Sequence, residues 1–356
     1  GILRAVRRPE LRNLNILRHY PLPAPAQVRA EIPVSDAAAA TVLRGRKAVI
    51  DILAGADERL LVVLGPCSIH DPAAAREYAA RLAVAAAEVE ETMVLVMRAY
   101  FEKPRTAAGW KGFINDPFLD DSFQIDQGLR LARRLLLEIN ALGVPVGTET
   151  LDPIAPQYLD ELISWSVIGA RTVESQTHRE LASGLSTPVG LKNGTDGNIQ
   201  SAINALKCVS QNHAFLGIDG QGRCAVYHTR GNPHAHIVLR GGDRPNYDAS
   251  SLDACEQALA AARLAVNIMV DCSHGNSRRD PAKQPTVFLE CLRQRLAGRR
   301  SIKGLMLESH LYGGNQPFPA DTRALKFGVS ITDPCLDWDS TAALLRRAHR
   351  LLSRRP

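Results

Sequence analysis

Short apolar segments rich in β-branched residues alternate with amphipathic stretches from about Leu60 to the C-terminus, and this alternation restricts the fold more than any other feature of the chain. A strand followed by a helix before the next strand pairs in parallel, and a parallel sheet must be covered on both faces. Eight segments read as strands: Leu61–Leu64, Met93–Met97, Val144–Gly147, Ser166–Gly169, Val189–Leu191, His236–Leu239, Ile268–Val270 and Gly304–Leu307. Eight is the number that closes an α/β (β/α)8 TIM barrel, and 356 residues accommodate one such barrel with additions.

Punctuation between the segments supports this reading. Asp71-Pro72 and Asp152-Pro153 each place a capping acid before a first-turn proline, while Gly143 and Gly184 supply stops. Two connections are long enough to be functional: Ala99 to Ser122 after strand two, and a stretch around Asp219-Gly220-Gln221-Gly222 that predicts a β-hairpin over about 213–231, inserted before strand six. Residues 1–45 lie outside the repeat. Pro21, Pro23, Pro25 and Pro33 make them read as an extended arm, ending before a helix that contains Arg46 to Leu53 and leaving 46–356 as the barrel domain.

Composition narrows the function. Hydrophobic residues at 45% and charged residues at 22% supply a core without a disorder signature, and no apolar run reaches the roughly 18 residues of a membrane span. Seven cysteines without paired spacing point to reduced thiols in a cytoplasmic protein. The net charge of +6 is dispersed, which suits small phosphorylated anions as well as nucleic acid; no nucleic-acid or membrane partner is expected.

A (β/α)8 barrel builds its active site at the C-terminal strand ends, and those ends are unusually polar here. Cys67, His274, Glu308 and Asp333 offer metal ligands; Arg98, Arg171, Lys192 and Arg240 are cations. A thiolate, an imidazole and two carboxylates suit one divalent ion, Mn²⁺, Fe²⁺, Co²⁺ or Zn²⁺, better than Ca²⁺. Four converging cations repel one another unless a multiply charged anion sits between them. Taken singly, each residue reads as structural: Cys67 as a small core hydrophobe, Asp333 as a cap, an arginine as an ion-pair partner. Their joint placement at successive strand ends is what a structural role does not explain.

Longer motifs carry a resemblance. GPCSIHD from Gly65, FEKPRT from Phe101, GWKGFINDP from Gly109, IGARTVESQTHRELASGLS from Ile168, PVGLKNGTDG from Pro188, VDCSHGNS from Val270 and SITDPCLDW from Ser330 resemble the microbial type I 3-deoxy-D-arabino-heptulosonate 7-phosphate (DAHP) synthases, in order, from about Arg46 onward. Leu191, where phenylalanine is common, and the stretch Asp321 to Lys326 depart from the pattern.

The resemblance implies condensation of phosphoenolpyruvate with erythrose 4-phosphate, the first step of the shikimate pathway. It further implies Cys67, His274, Glu308 and Asp333 as metal ligands. Arg98, Glu149, Ala170, Arg171, Lys192 and Arg240 would surround phosphoenolpyruvate, and Lys103, Pro104, Arg105 and Thr106 would hold the aldose phosphate. Lys192, Glu149, Arg98 and His274 are the expected catalytic groups.

It also implies a homodimer or homotetramer and an aromatic amino acid effector. The expected effector walls are Pro156, Gln157, Leu185, Ser186, Phe215 and Gly217, and Gly217, lacking a hydroxymethyl group, favours tyrosine, although DPCLDW resembles tryptophan-sensitive relatives. Two alternatives stand beside this reading. One is a 3-deoxy-octulosonate 8-phosphate synthase, against which the KPRT sequence argues; the other is a catalytically silent regulatory paralogue, against which the intact ligand set argues.

Overall fold

The computed structural model describes residues 11–107, 109–318 and 321–354, so residues 1–10 of the N-terminal extension lie outside the described set. Eight parallel strands close a barrel: β1 (Leu60–Gly65), β2 (Met93–Arg98), β3 (Val146–Glu149), β4 (Trp165–Ile168), β5 (Val189–Lys192), β8 (Ala235–Leu239), β9 (Ile268–Asp271) and β10 (Ile302–Glu308), with β1 pairing β10 to complete the ring. All eight predicted strands are present, each within a few residues of its expected bounds. The remaining two, β6 (His213–Ile218) and β7 (Cys224–Thr229), form the separate antiparallel hairpin expected before the sixth barrel strand.

Helices α3 (Pro72–Val89), α4 (Ile125–Ala141), α5 (Pro156–Leu159), α6 (Gln176–Gly184), α7 (Gln200–Val209), α8 (Ala249–Ala261), α9 (Gln284–Leu296) and α10 (Trp338–Ser353) join or follow the barrel strands. Asp71 caps α3 as its sequence predicts, accepting from the backbone N–H groups of Ala73 and Ala74. Asp152-Pro153 does not start a helix. Asp152 instead accepts from the N–H groups of Ile154 and Ala155 in a turn, and the helix begins at Pro156.

The stretch expected to be extended contains two helices, α1 (Pro25–Glu31) and α2 (Asp36–Ala54). Pro25 sits in the first turn of α1, where a missing N–H is harmless, and the Ser35 side chain caps α2. Prolines that break a helix interior therefore frame helices here.

Helix α2 also closes the bottom of the barrel. Its Val49, Ile52 and Leu53 pack with the inward-facing Leu61, Val63, Val96, Trp165, Val238 and Met306 in a core distinct from the larger one between strands and outer helices. Arg46 donates to the carbonyls of Asp160 and Ile163, just before β4. With one end plugged by apolar side chains, polar groups collect at the opposite mouth. No helix among the described residues is long and apolar enough to cross a membrane.

Gly45 lies where α2 touches the barrel floor, and a Cβ there would stand 2.6 Å from both Pro145 Cβ and Ser164 Oγ. Neither neighbour is the end of a flexible chain. Gly45→Val is expected to destabilise the protein by about 1–3 kcal/mol through overpacking, seen as a lower Tm in calorimetry; an unchanged Tm would mean that α2 is not seated as described.

Candidate active site

The buried strands β1 and β10 end side by side, which brings Glu308, the last residue of β10, and Cys67, in the loop just after β1, to the barrel mouth. Asp333 arrives from the loop before α10, and Cys67, Glu308 and Asp333 each offer a ligand atom within 4.8 Å of the others. His274, from the loop after β9, places Nε2 3.6 Å from Glu308 Oε1 and 3.8 Å from Asp333 Oδ2. His274 thus stands beside Glu308 and Asp333 but is not one of the three residues whose donor atoms all lie within 4.8 Å of one another. Burial, reinforced by Glu308, pushes the Cys67 thiol up to about 11. As a metal ligand it would exchange its proton for the cation. The donor set therefore fits a divalent ion.

The cations stand around this group. Arg98, at the end of β2, is 1% exposed; it donates to Glu308 Oε1 at 3.2 Å and to the carbonyls of Pro66 and Cys67, and its guanidinium lies 3.8 Å from the Tyr100 ring centroid. Lys103 turns inward, with Nζ 3.2 Å from Cys67 Sγ. Burial opposes its charge, but Cys67, Glu149 and Glu308 hold its pKa up at about 12.

Arg105 and Thr106 stay exposed at the rim, where Arg171 Nε donates to Thr106 Oγ1 at 3.1 Å. Lys103 is thus set apart from the rest of its motif. Lys103, Pro104, Arg105, Glu149, Ala170, Arg171, Lys192, Arg240, His274 and Asp333 all line one cavity of about 570 Å³. Within it, Glu149 Oε1 is buried without a hydrogen-bond partner among the described residues, in space that exists because Gly169 has no side chain: a Cβ there would lie 2.2 Å from that oxygen.

One residue that sequence reasoning passed over is central. Asp271, at the last position of β9, accepts from Lys192 Nζ at 2.8 Å and from His274 Nδ1 at 2.9 Å. Burial works against its charge, yet Lys192 and His274 hold its carboxyl well below the usual range. The available signal was an acid at a strand end, directly before the His274 loop.

The six expected effector residues also come together. Pro156, Gln157, Leu185, Ser186, Phe215 and Gly217 line a cavity of about 1400 Å³ between α5, the loop before β5 and the hairpin. It lies outside the barrel mouth.

Comparison with known proteins is consistent with this geometry. The family model described as "DAHP synthetase I family" matches residues 31–346. A Tyr-sensitive phospho-2-dehydro-3-deoxyheptonate aldolase of Escherichia coli is 51% identical over 98% of this chain and 98% of its own. The Phe-sensitive enzyme of the same organism is also 51% identical, over 91% of this chain and 92% of its own. The solved structure of a phospho-2-dehydro-3-deoxyheptonate aldolase from Francisella tularensis superposes with a TM-score of 0.93 at 44% identity, covering 96% of this chain and 100% of that one.

Cys67→Ala removes a donor but little packing. Its affinity for divalent metal should fall by more than the roughly 10–100-fold typical of losing a residue that only supports a ligand, with the folded state retained by circular dichroism. Normal metal content after dialysis would remove Cys67 from the ligand set.

Proposed function

The chain belongs to the DAHP synthetase I family, and from that membership we propose a 3-deoxy-7-phosphoheptulonate synthase joining C3 of phosphoenolpyruvate to the aldehyde carbon of erythrose 4-phosphate. Water adds at C2 and inorganic phosphate leaves by C–O cleavage. The observation that carries the proposal is the grouping of Cys67, Glu308 and Asp333 at the edge of a cavity lined by five cations, Lys103, Arg105, Arg171, Lys192 and Arg240. A phosphate and a carboxylate offset that charge better than any neutral ligand.

In this reading Arg98, Arg171, Lys192 and Arg240, with Glu149 and the backbone at Ala170, receive phosphoenolpyruvate. Arg105 and Thr106 at the rim, with Pro104 beside them, receive the aldose phosphate, and Lys103 reaches between the two substrates. Cys67, His274, Glu308 and Asp333 hold Mn²⁺, Fe²⁺, Co²⁺ or Zn²⁺, which when bound supplies Lewis acidity for the aldehyde oxygen. Glu149 Oε1, which has no hydrogen-bond partner among the described residues, accepts a proton from the water that adds at C2. Lys192 carries a proton at Nζ for the phosphate end of the substrate.

The seven cysteines are all free, as suits a reducing cytoplasm. The exposed apolar side chains of Leu14, Leu17, Leu216 and Val226 support burial in a homodimer or homotetramer.

Turnover with erythrose 4-phosphate, compared with arabinose 5-phosphate and repeated after exhaustive chelation, tests the proposal. The four-carbon sugar should be preferred, and activity should vanish with chelator and return with Mn²⁺ or Co²⁺. In the same assay Arg105→Ala should raise KM for erythrose 4-phosphate selectively, since a lost charge-assisted contact costs about 1.5–3 kcal/mol, roughly tenfold to over a hundredfold. Equal effects on both substrates would contradict the division of labour.

The cavity beside the hairpin is proposed to take tyrosine. Phe215 stacks on Tyr227 at 5.9 Å, and a Cβ at Gly217 would come within 3.0 Å of the Tyr227 ring, so any side chain at 217 crowds that wall. Relatives named for tyrosine and for phenylalanine are equally identical to the chain, so the pocket must decide. Tyrosine should inhibit most strongly of the three aromatic amino acids, and Gly217→Ser should shift the preference toward phenylalanine; inhibition by tryptophan alone would overturn the assignment.

A further inference from the structure

We propose that Asp271 is a positioning residue whose single carboxylate fixes Lys192 and His274 together, so that the neutral form of the His274 ring carries its hydrogen on Nδ1 and turns a bare Nε2 toward Glu308 and Asp333. The side chain is fully buried, and both its oxygens are engaged. Oδ2 accepts from Lys192 Nζ at 2.8 Å and His274 Nδ1 at 2.9 Å; Oδ1 accepts from the Ser273 N–H at 3.0 Å and Ser273 Oγ at 2.6 Å.

In the neutral ring, the tautomer of His274 follows from competition for one proton. A neutral imidazole carries its hydrogen on one nitrogen only, and a carboxylate can only accept. On the Nε2 side, Glu308 and Asp333 would welcome the proton, but at 3.6 and 3.8 Å they are too far for a good hydrogen bond. On the Nδ1 side Asp271 stands at 2.9 Å. Ser273 Oγ stands at 2.8 Å from Nδ1; its own proton is committed to Asp271, so it too offers a lone pair. The proton belongs on Nδ1, and the nitrogen facing the other ligands is left bare, as a metal ligand requires. Without Asp271 the balance reverses and His274 would direct a proton at the ligand cluster.

The same oxygen holds the ammonium of Lys192. The assignment of Lys192 to phosphoenolpyruvate rests on the function proposed above; the tautomer does not. Long-range ¹H–¹⁵N imidazole spectra of the metal-free full chain, followed with rising pH until the ring is neutral and with the His274 signals assigned by their loss in His274→Ala, test the core of the proposal. The wild type should show protonated Nδ1 and bare Nε2, and protonated Nε2 would overturn the proposal even if no variant folds.

Asp271→Asn should lose that signature, bind Mn²⁺ roughly 10–100-fold more weakly in titration, and bind phosphoenolpyruvate at least tenfold more weakly in calorimetry. A folded Asp271→Asn with a lower Tm but an unchanged imidazole signature and Mn²⁺ affinity would show a merely structural residue and overturn the proposal. Absence of turnover by the wild type with either aldose, beside the expected tautomer, would sink the proposed function and leave the role of Asp271 standing.

Discussion

The buried guanidinium of Arg98 is the constraint around which the barrel mouth is assembled. A charge taken fully out of water carries a penalty of several kcal/mol that only complete pairing offsets. Arg98 finds that pairing by crossing from β2 over β1 to β10, where it meets the Pro66 and Cys67 carbonyls, the Glu308 carboxylate and the face of Tyr100. Glu308 is fixed in turn through its backbone, because Gln284 at the start of α9 donates to its carbonyl and accepts from its N–H, each at 2.9 Å. Three strand ends and one helix are thereby held in register, and the candidate donor atoms of Cys67 and Glu308 inherit their separation from that lock.

Such a polar layer is tolerable only because the opposite end of the barrel is dry. Val49, Ile52 and Leu53 of α2 complete an interior of Leu61, Val63, Val96, Trp165 and Met306, so the field of the mouth is bounded below by low-dielectric packing. Charges above such a floor are weakly screened, which strengthens attraction for an anion and raises the repulsion among cations when none is bound. The N-terminal segment thus serves the site without touching it.

How much of this was legible in the sequence follows from what periodicity encodes. Strand positions, the hairpin and the polar strand ends come from local pattern, and residues as distant as Cys67 and Asp333 could be grouped because a closed barrel brings every strand end to one rim. The helical character of residues 25–31 and 36–45 was not legible from prolines alone, since Pro25 marks a helix start as readily as a break. Lys103 read as part of a rim motif; its long stem lets the ammonium fold inward to Cys67 while Arg105, two residues on, stays outside. Asp271 was visible as a strand-end acid, but its partners depend on β5, β8 and β9 being consecutive in the ring and on His274 turning back over its own strand.

That turning back is built from unfavourable backbone. His274, Arg278 and Arg279 have φ of 53°, 53° and 60°, a region that L-residues enter only when their surroundings impose it. Here the imposition comes from three asparagines. Asn276 donates to the carbonyls of Leu239 and Asp271; Asn246 accepts from the N–H of Gly241 and donates through its own N–H to Asn276; Asn193 accepts from the N–H of Arg240. Gly241, with φ of 68°, allows the loops after β8 and β9 to touch, since a Cβ there would lie 2.6 Å from the Asn276 nitrogen. The loops after β5, β8 and β9 are consequently one interlocked body, and Lys192, Arg240 and His274 are presented from it at fixed separations. Strain at His274 is then a consequence of rigidity: the ring cannot relax away from Glu308 and Asp333 without breaking hydrogen bonds that also hold Lys192 and Arg240.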